Sequence, residues 1–378
     1  MNTYLLQNNL FNHCMMKYCL PFITFLLLSV FVHAQNPPYP KSEVIKDIKF
    51  HWAFHNRLAS GSDNWPVTWA DDDNQYLVWG DGGGFGGMNS IGRSSIGVAR
   101  IEGNWHSYQT SNIWGGYDTK NPHEIIGKSY GIVCINSVLY MWIGMLNTKE
   151  DQFKEVKIAS SKNHGDTWKF SDWSFTRKEG IMMPTVCNYG KNYEGAKDDY
   201  VYSYLIRFQS YEGSDDYPDK VVWLNCQKPG IIDLARVPKD QVLNRDAYSF
   251  FAGMKNGQPV WTKDVNKRKP VFENPDGVGW CINVSFNEGL KRYMLSSEHT
   301  ETHRGNIGIF DAPAPWGPWT TVCYQHNWGE GHIPLNAFFW NFSNKWMSKD
   351  GKSFSLIFTG RKENDSFNVI RGEFLTDQ

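Results

Sequence analysis

The sequence lacks charge imbalance, paired cysteines and a second long apolar run, and each absence removes a class of protein. Over 378 residues the formal net charge is −1, which leaves no basic excess for a nucleic-acid partner. Of seven cysteines, Cys14 and Cys19 fall in an amino-terminal leader. The other five, Cys134, Cys187, Cys226, Cys281 and Cys323, are odd in number and widely spaced, with no C-x-x-C. A disulfide scaffold, a zinc ribbon and a thioredoxin-like motif are therefore unsupported. Several lie in apolar runs, where a free thiol behaves as a small hydrophobe. No G-x-S-x-G is present, no Ser/His/Asp triad can be assembled from spacing, and helical periodicity is nearly absent.

The one long apolar run follows Lys17 and extends from Leu20 to Phe31; Val32-His33-Ala34 after it has the small-residue pattern of a cleavage site. This reads as a secretory signal peptide over residues 1–34, too short to span a membrane. The expected product is an exported, secreted or periplasmic chain over 35–378, folded as a single domain and without a membrane partner once the leader is removed.

Aromatic residues are abundant, with 17 Trp, 18 Tyr and 23 Phe. Part of that number fills sheets and core, and part suits sugar rings, whose C–H faces are apolar. Short strand-like runs bounded by Gly, Asn, Asp and Pro recur throughout, and they group into loose units. Each unit has a first strand, an aromatic second strand, a third strand with small residues and a closing tryptophan. The first is Val67-Thr68-Trp69, Tyr76-Leu77-Val78-Trp79, the run from Ile96 to Ile101, and Trp105; the last begins at Asn336 and lacks an outer strand. Five such units predict an all-β fold, a five-bladed β-propeller. Residues 44–50 are expected to join the last blade and close the ring. Ser161-Lys162-Asn163-His164-Gly165-Asp166-Thr167-Trp168 resembles the Asp-box turn of many sugar-active propellers, with Asn163 in place of the usual Asp, and its role is structural.

Two runs, from Ser62 to Trp69 and from Tyr76 to Gly82, flank the polar turn Asp71-Asp72-Asp73 and read as a β-hairpin. With the turn centred on Asp72, Val67 faces Leu77, Trp65 faces Trp79 and Asp63 faces Asp81. Opposed Cβ atoms lie roughly 4.5–5.5 Å apart, and like charges at that range are unfavourable. A shared catalytic site is one reason to place them so; a turn cap at Asp63 and a turn dipeptide at Asp81-Gly82 are the plainer alternatives.

Other motifs carry less. Gly82-Gly83-Gly84-Phe85-Gly86-Gly87 contains G-x-G-x-x-G but leads to no helix, so a flexible loop is expected rather than a phosphate cradle. Asp71-Asp72-Asp73-Asn74 offers calcium-type oxygens without EF-hand spacing. A solvated hairpin tip is the better reading there, and a structural calcium ion the lesser one; no cofactor is required. In the run from Glu298 to Arg304, Glu298, His299 and Arg304 are candidate substrate contacts, and Glu330-Gly331-His332 is a similar candidate. His299 and His303 would suit a metal only on a helix, so no metal site is assigned.

Ser62-Asp63-Asn64-Trp65-Pro66, Trp79-Gly80-Asp81-Gly82 and Trp316-Gly317-Pro318-Trp319 together resemble a propeller family, long of unknown function, that includes endo-D-arabinanases. The resemblance implies a funnel with two catalytic aspartates in the first blade, which by motif fall on Asp63 and Asp81. The expected protein is a glycoside hydrolase cleaving a polysaccharide, an arabinan by this resemblance, in an endo fashion. A close carboxyl pair implies retention, with Asp63 as acid/base and Asp81 as nucleophile. The neighbouring charge and the indoles would raise the acid's pKa. Asn64, Trp65, Trp79 and Phe85 are expected to contact the sugar. A non-catalytic carbohydrate-binding propeller and a polysaccharide lyase are the rival readings.

Overall fold

The computed structural model describes residues 36–147, 152–176, 179–181, 183–208 and 224–377; the leader read over 1–34 lies outside them. Residues 36–378 form one compact unit. Strand β1 (Asp47–Leu58) comes first, followed by β2 (Val67–Trp69), β3 (Gln75–Gly80), β4 (Ile96–Asn104) and β5 (Ser107–Trp114), which form blade 1. Blade 2 holds β6 (Gly127–Ile135), β7 (Val138–Asn147) and β8 (Gln152–Ser161), with the short β9 (Lys169–Phe170) and β10 (Phe175–Thr176) both on β8. Blade 3 runs through β11 (Thr185–Val186), β12 (Tyr200–Ile206), β13 (Gly230–Pro238), β14 (Ser249–Lys255) and β15 (Gln258–Thr262), and β16 (Pro270–Asn274) returns to β13. Blade 4 is β17 (Ile282–Asn287), β18 (Arg292–Glu298), β19 (Ile307–Ala312) and β20 (Thr320–Gln325). Blade 5 is β21 (Asn336–Phe342), β22 (Ser353–Arg361) and β23 (Asp365–Leu375), completed by β1.

The protein is thus a five-bladed β-propeller, with its ring closed as the sequence predicts. β1 lies antiparallel to β23 from Asp47 opposite Leu375 to Leu58 opposite Phe367, with an irregularity between His51 and Asn56. Strands inside a blade are covered on both faces by neighbouring blades, so β3 is buried at all six positions and reads as a continuous apolar run. The edge strand β1 instead alternates between exposed and half-buried positions.

Asn163 takes over the Asp-box role in the turn from β8 to β9. Its Oδ1 accepts from the Thr167 amide at 3.1 Å and from Ser161 Oγ at 2.9 Å, while Trp168 Nε1 donates to Gly165 O. The five cysteines are free thiols; Cys134, Cys187 and Cys281 are buried, in keeping with the small-hydrophobe reading.

Candidate active site

The first hairpin holds the expected register only in part. Val67 opposes Leu77, Thr68 opposes Tyr76 and Trp69 opposes Gln75, and Asp72 fixes the tip by accepting from the Asn74 amide and the Tyr76 hydroxyl. Pro66 has no N–H to offer, so the ladder breaks there. Asn64 and Trp65 then take positive φ values of 65° and 123°, and the chain gains one residue on this side, as in a β-bulge. Asp63 exchanges both of its backbone hydrogen bonds with Gly80, each at 2.9 Å. Asp63 therefore opposes Gly80 rather than Asp81, and Trp65 does not oppose Trp79.

That slip gives the Asp63 carboxyl its place. A Cβ on Gly80 would come 2.6 Å from Asp63 Oδ1 and 2.8 Å from Asn64 Nδ2, so only glycine leaves the space. Asn64, itself buried, donates from Nδ2 to Asp63 Oδ1 at 2.8 Å and orients it; its amide is no sugar contact in this position. Oδ2 of Asp63 makes no hydrogen bond among the described residues, and the residue as a whole is half-buried. Burial pushes the Asp63 pKa up to about 8; Lys128 opposes the shift, and Asp81 and Asp365 add to it.

Asp81 turns away from the ladder at φ 56°. Its Oδ1 receives Lys128 Nζ at 2.6 Å and Arg93 Nη2 at 3.2 Å, and its side chain is 40% exposed. Lys128 comes from the start of β6 in the neighbouring blade and also donates to Ser95 O at 2.6 Å. This ammonium couples the two carboxyls, and the sequence reading missed it. A lone lysine between Gly127 and an apolar strand run is the only local sign of it.

Tyr130 of β6, on which Asp63 and Asp81 act electrostatically, is buried with its ring edge-on to Trp280, 5.5 Å between centroids. Trp280 Nε1 donates to Thr302 Oγ1 at 2.8 Å, Thr302 Oγ1 donates to Glu298 Oε2 at 2.7 Å, and the His303 amide donates to Glu298 Oε1 at 2.6 Å. Glu298 is 1% exposed, and burial pushes its pKa up to about 8 against those hydrogen bonds. It holds the turn after β18 and has no face open to a substrate. His299 is likewise buried, stacked on Tyr324 at 3.8 Å with Nε2 at Gln325 O, and desolvation lowers its pKa to about 4. It ties β18 to β20. Arg304 is exposed, 3.5 Å from Glu301.

The expected sugar-stacking residues lie elsewhere. Trp65 and Trp79 are completely buried, their rings 6.2 Å apart and 28° from parallel, and Phe85 and Phe367 pack beside Trp65. They join blade 1 to blade 5 as core, and burial leaves neither indole face free. The Gly82–Gly87 loop is stitched down: Asn112 accepts from the Phe85 amide and donates to the carbonyls of Gly83, Phe85 and Tyr117. At the hairpin tip, Asp71 meets His164 at 2.9 Å, and Asp73 meets Lys191 and Lys345. Among the described residues no group of three or more His, Cys, Asp or Glu side chains is placed to hold a metal ion.

Among solved structures, the chain is similar to a protein of Bacteroides ovatus ATCC 8483 at 11% identity and TM-score 0.52, over 83% of this chain and 87% of that one. It is also similar to RS223-Beta-xylosidase at 13% identity and TM-score 0.50, over 84% of this chain and 94% of that one. At such identities the likeness is one of fold. No protein-family model and no curated protein matches the chain.

Proposed function

We propose that the protein is a glycoside hydrolase that cleaves a polysaccharide at the mouth lined by Asp63 and Asp81. The observation that carries this reading is the Asp63 carboxyl, on a half-buried residue beside Asp81 and Lys128, with its pKa pushed up to about 8 by burial. At neutral pH it holds a proton. Oδ1 is occupied by Asn64, which leaves Oδ2 to deliver that proton to a leaving glycosidic oxygen. Asp81 is the anionic partner. Lys128 and Arg93 hold its Oδ1, and its Oδ2 makes no hydrogen bond among the described residues.

In the retaining route, Asp81 Oδ2 forms the glycosyl bond as the glycosidic C–O bond breaks and Asp63 protonates the departing oxygen. Water then releases the sugar, giving its proton back to Asp63. A neighbour in fold is named a beta-xylosidase, so the architecture hosts glycoside cleavage, although fold alone does not choose the chemistry. The motif resemblance at Asp63 and Asp81 supports an arabinan substrate and endo action. The leader over 1–34 supports a meeting with that substrate outside the cytoplasm.

The test is product analysis with purified protein on arabinan and other polysaccharides. New reducing ends without unsaturation are expected, and the anomeric configuration of the product tells the retaining route from an inverting one. Asp63→Asn and Asp81→Asn should each lower turnover by about 10²–10⁴-fold while the variants stay folded. Near-normal turnover in either variant would remove that residue from the mechanism, and unsaturated products would make the protein a lyase.

A further inference from the structure

At the end of blade 5 where β22 turns into β23, a cavity of about 120 Å³ is lined by His55, Arg57, His332, Arg361 and Asn368 together with Ile333, Pro334 and Gly360. Four of these are basic and none is acidic. Two arginines facing one small cavity repel each other unless an anion joins them. Arg57 is oriented by neutral oxygens, with Nε on Ser366 Oγ at 2.8 Å and Nη2 on Asn364 O at 3.1 Å. Arg361 makes no side-chain hydrogen bond among the described residues. Asp365 stands opposite Arg361 across the β22–β23 hairpin, yet neither arginine forms an ion pair with it or with any other described carboxylate. Glu363 also acts on Arg57 but is paired with Lys362 at 3.2 Å, so counting it with Lys362, and Asp365, one positive charge remains in excess.

The histidines complete the lining. His332 lies flat on Trp52, with ring centroids 4.3 Å apart and planes 3° from parallel, and its nitrogens make no hydrogen bond among the described residues. His55 Nε2 is 2.8 Å from Asn368 Oδ1. Its pKa is lowered, chiefly by burial, with Arg57 and His332 adding to the effect against the Asn368 hydrogen bond. Two guanidinium groups, with imidazole rings beside them, thus line a space that would hold a few waters at ~30 Å³ each, or one oxyanion group. Guanidinium forks match carboxylate and sulfate oxygens geometrically.

The cavity is tied to the candidate site through the backbone. The Gly61 amide donates to Asp365 O at 2.7 Å, two residues before Asp63, and the Asp365 charge acts on the Asp63 carboxyl. We propose that this cavity is a subsite for an oxyanion substituent, a uronate carboxylate or a sulfate ester, on the glycan bound at the mouth. The inference rests on the hydrolase reading for its ligand, and it replaces the plain arabinan of the motif resemblance, which carries no acidic group, with a glycan bearing acidic substituents.

The test is a calorimetric titration of the full-length Asp63→Asn chain with glucuronate and, separately, with sulfate. Binding of at least one anion is expected, and adding Arg361→Gln should weaken it about tenfold or more. His332→Ala, a milder change at an exposed side chain, should weaken it in the same direction. Binding of glucuronate alone identifies a uronate and binding of sulfate alone a sulfate ester, and either supports the site. Equal affinity in the Arg361→Gln protein, or no binding of either anion, overturns it. In the otherwise wild-type protein, Arg361→Gln should lower kcat/KM on an acidic polysaccharide and spare its carboxyl-reduced or desulfated form. Because the titration reads binding, an absence of cleavage strikes the hydrolase reading and leaves the anion site standing.

Discussion

Lys128 Nζ and Asp81 Oδ1 stand 2.6 Å apart across the seam between blades 2 and 1, and the same ammonium lowers the proton affinity of Asp63. One cation from the neighbouring blade thus acts on both carboxyls. Replacing it with an uncharged chain of similar shape, Lys128→Met, should let the Asp63 pKa rise above about 8. As the proposed acid, Asp63 must be protonated to work, so the alkaline limb of kcat/KM should move to higher pH. The maximum rate should fall by about tenfold or more as Asp81 loses its anchor. A pH–rate profile checks both.

Gly80→Ala places a methyl 2.6 Å from Asp63 Oδ1, where the carboxyl now sits. The carboxyl or the strand has to move. Activity should drop by about 10²-fold, since small misplacements of a reacting group are costly, while the melting temperature changes little. Steady-state kinetics beside a thermal melt separates the two effects.

Glu298 gives a prediction about stability. Its folded pKa of about 8 lies above the ordinary carboxyl value of 4.5. The folded state therefore holds a proton that the unfolded chain has already released. The associated stability is complete below about pH 4 and is lost as pH rises toward 8, at up to roughly 1.4 kcal/mol per pH unit. Asp63 adds a loss in the same window. In Glu298→Gln the fall in melting temperature between pH 5 and 8 should be shallower than in wild type. An unchanged slope would show that Glu298 is ionised in the folded protein.

Trp79→Ala should act on folding. The ring is fully buried between blades, and large-to-small changes at such aromatic positions cost about 3–5 kcal/mol. Denaturant unfolding should show that loss, whereas a sugar-stacking role would appear chiefly as a raised KM.

The repeat of short strands, the Asp-box turn and the closing role of the segment before blade 1 were legible because each is a local pattern of aromatic, β-branched and turn residues. The hairpin register was legible as far as Val67 and Leu77. Past that point Pro66 held the missing clue: a residue without an N–H cannot continue a ladder, and the bulge at Asn64 and Trp65 follows. β5 was not anticipated as a strand, since Ser107–Trp114 is mostly polar along an outer edge. Lys128 was missed because it reaches the aspartates from another blade. The inward turn of Trp65, Trp79, Glu298 and His299 likewise depends on how whole blades stack, which no single stretch of sequence reveals.

His55 and Asn368 touch at 2.8 Å although 313 residues separate them. The seam that β1 and β23 make can therefore be sewn only after nearly all of the chain is present. Contacts of such long range are slow to form and leave sheet edges uncovered meanwhile. Anything that delayed the arrival of residues 365–375 would leave the Gly61 amide, two residues before Asp63, without the Asp365 carbonyl it bonds.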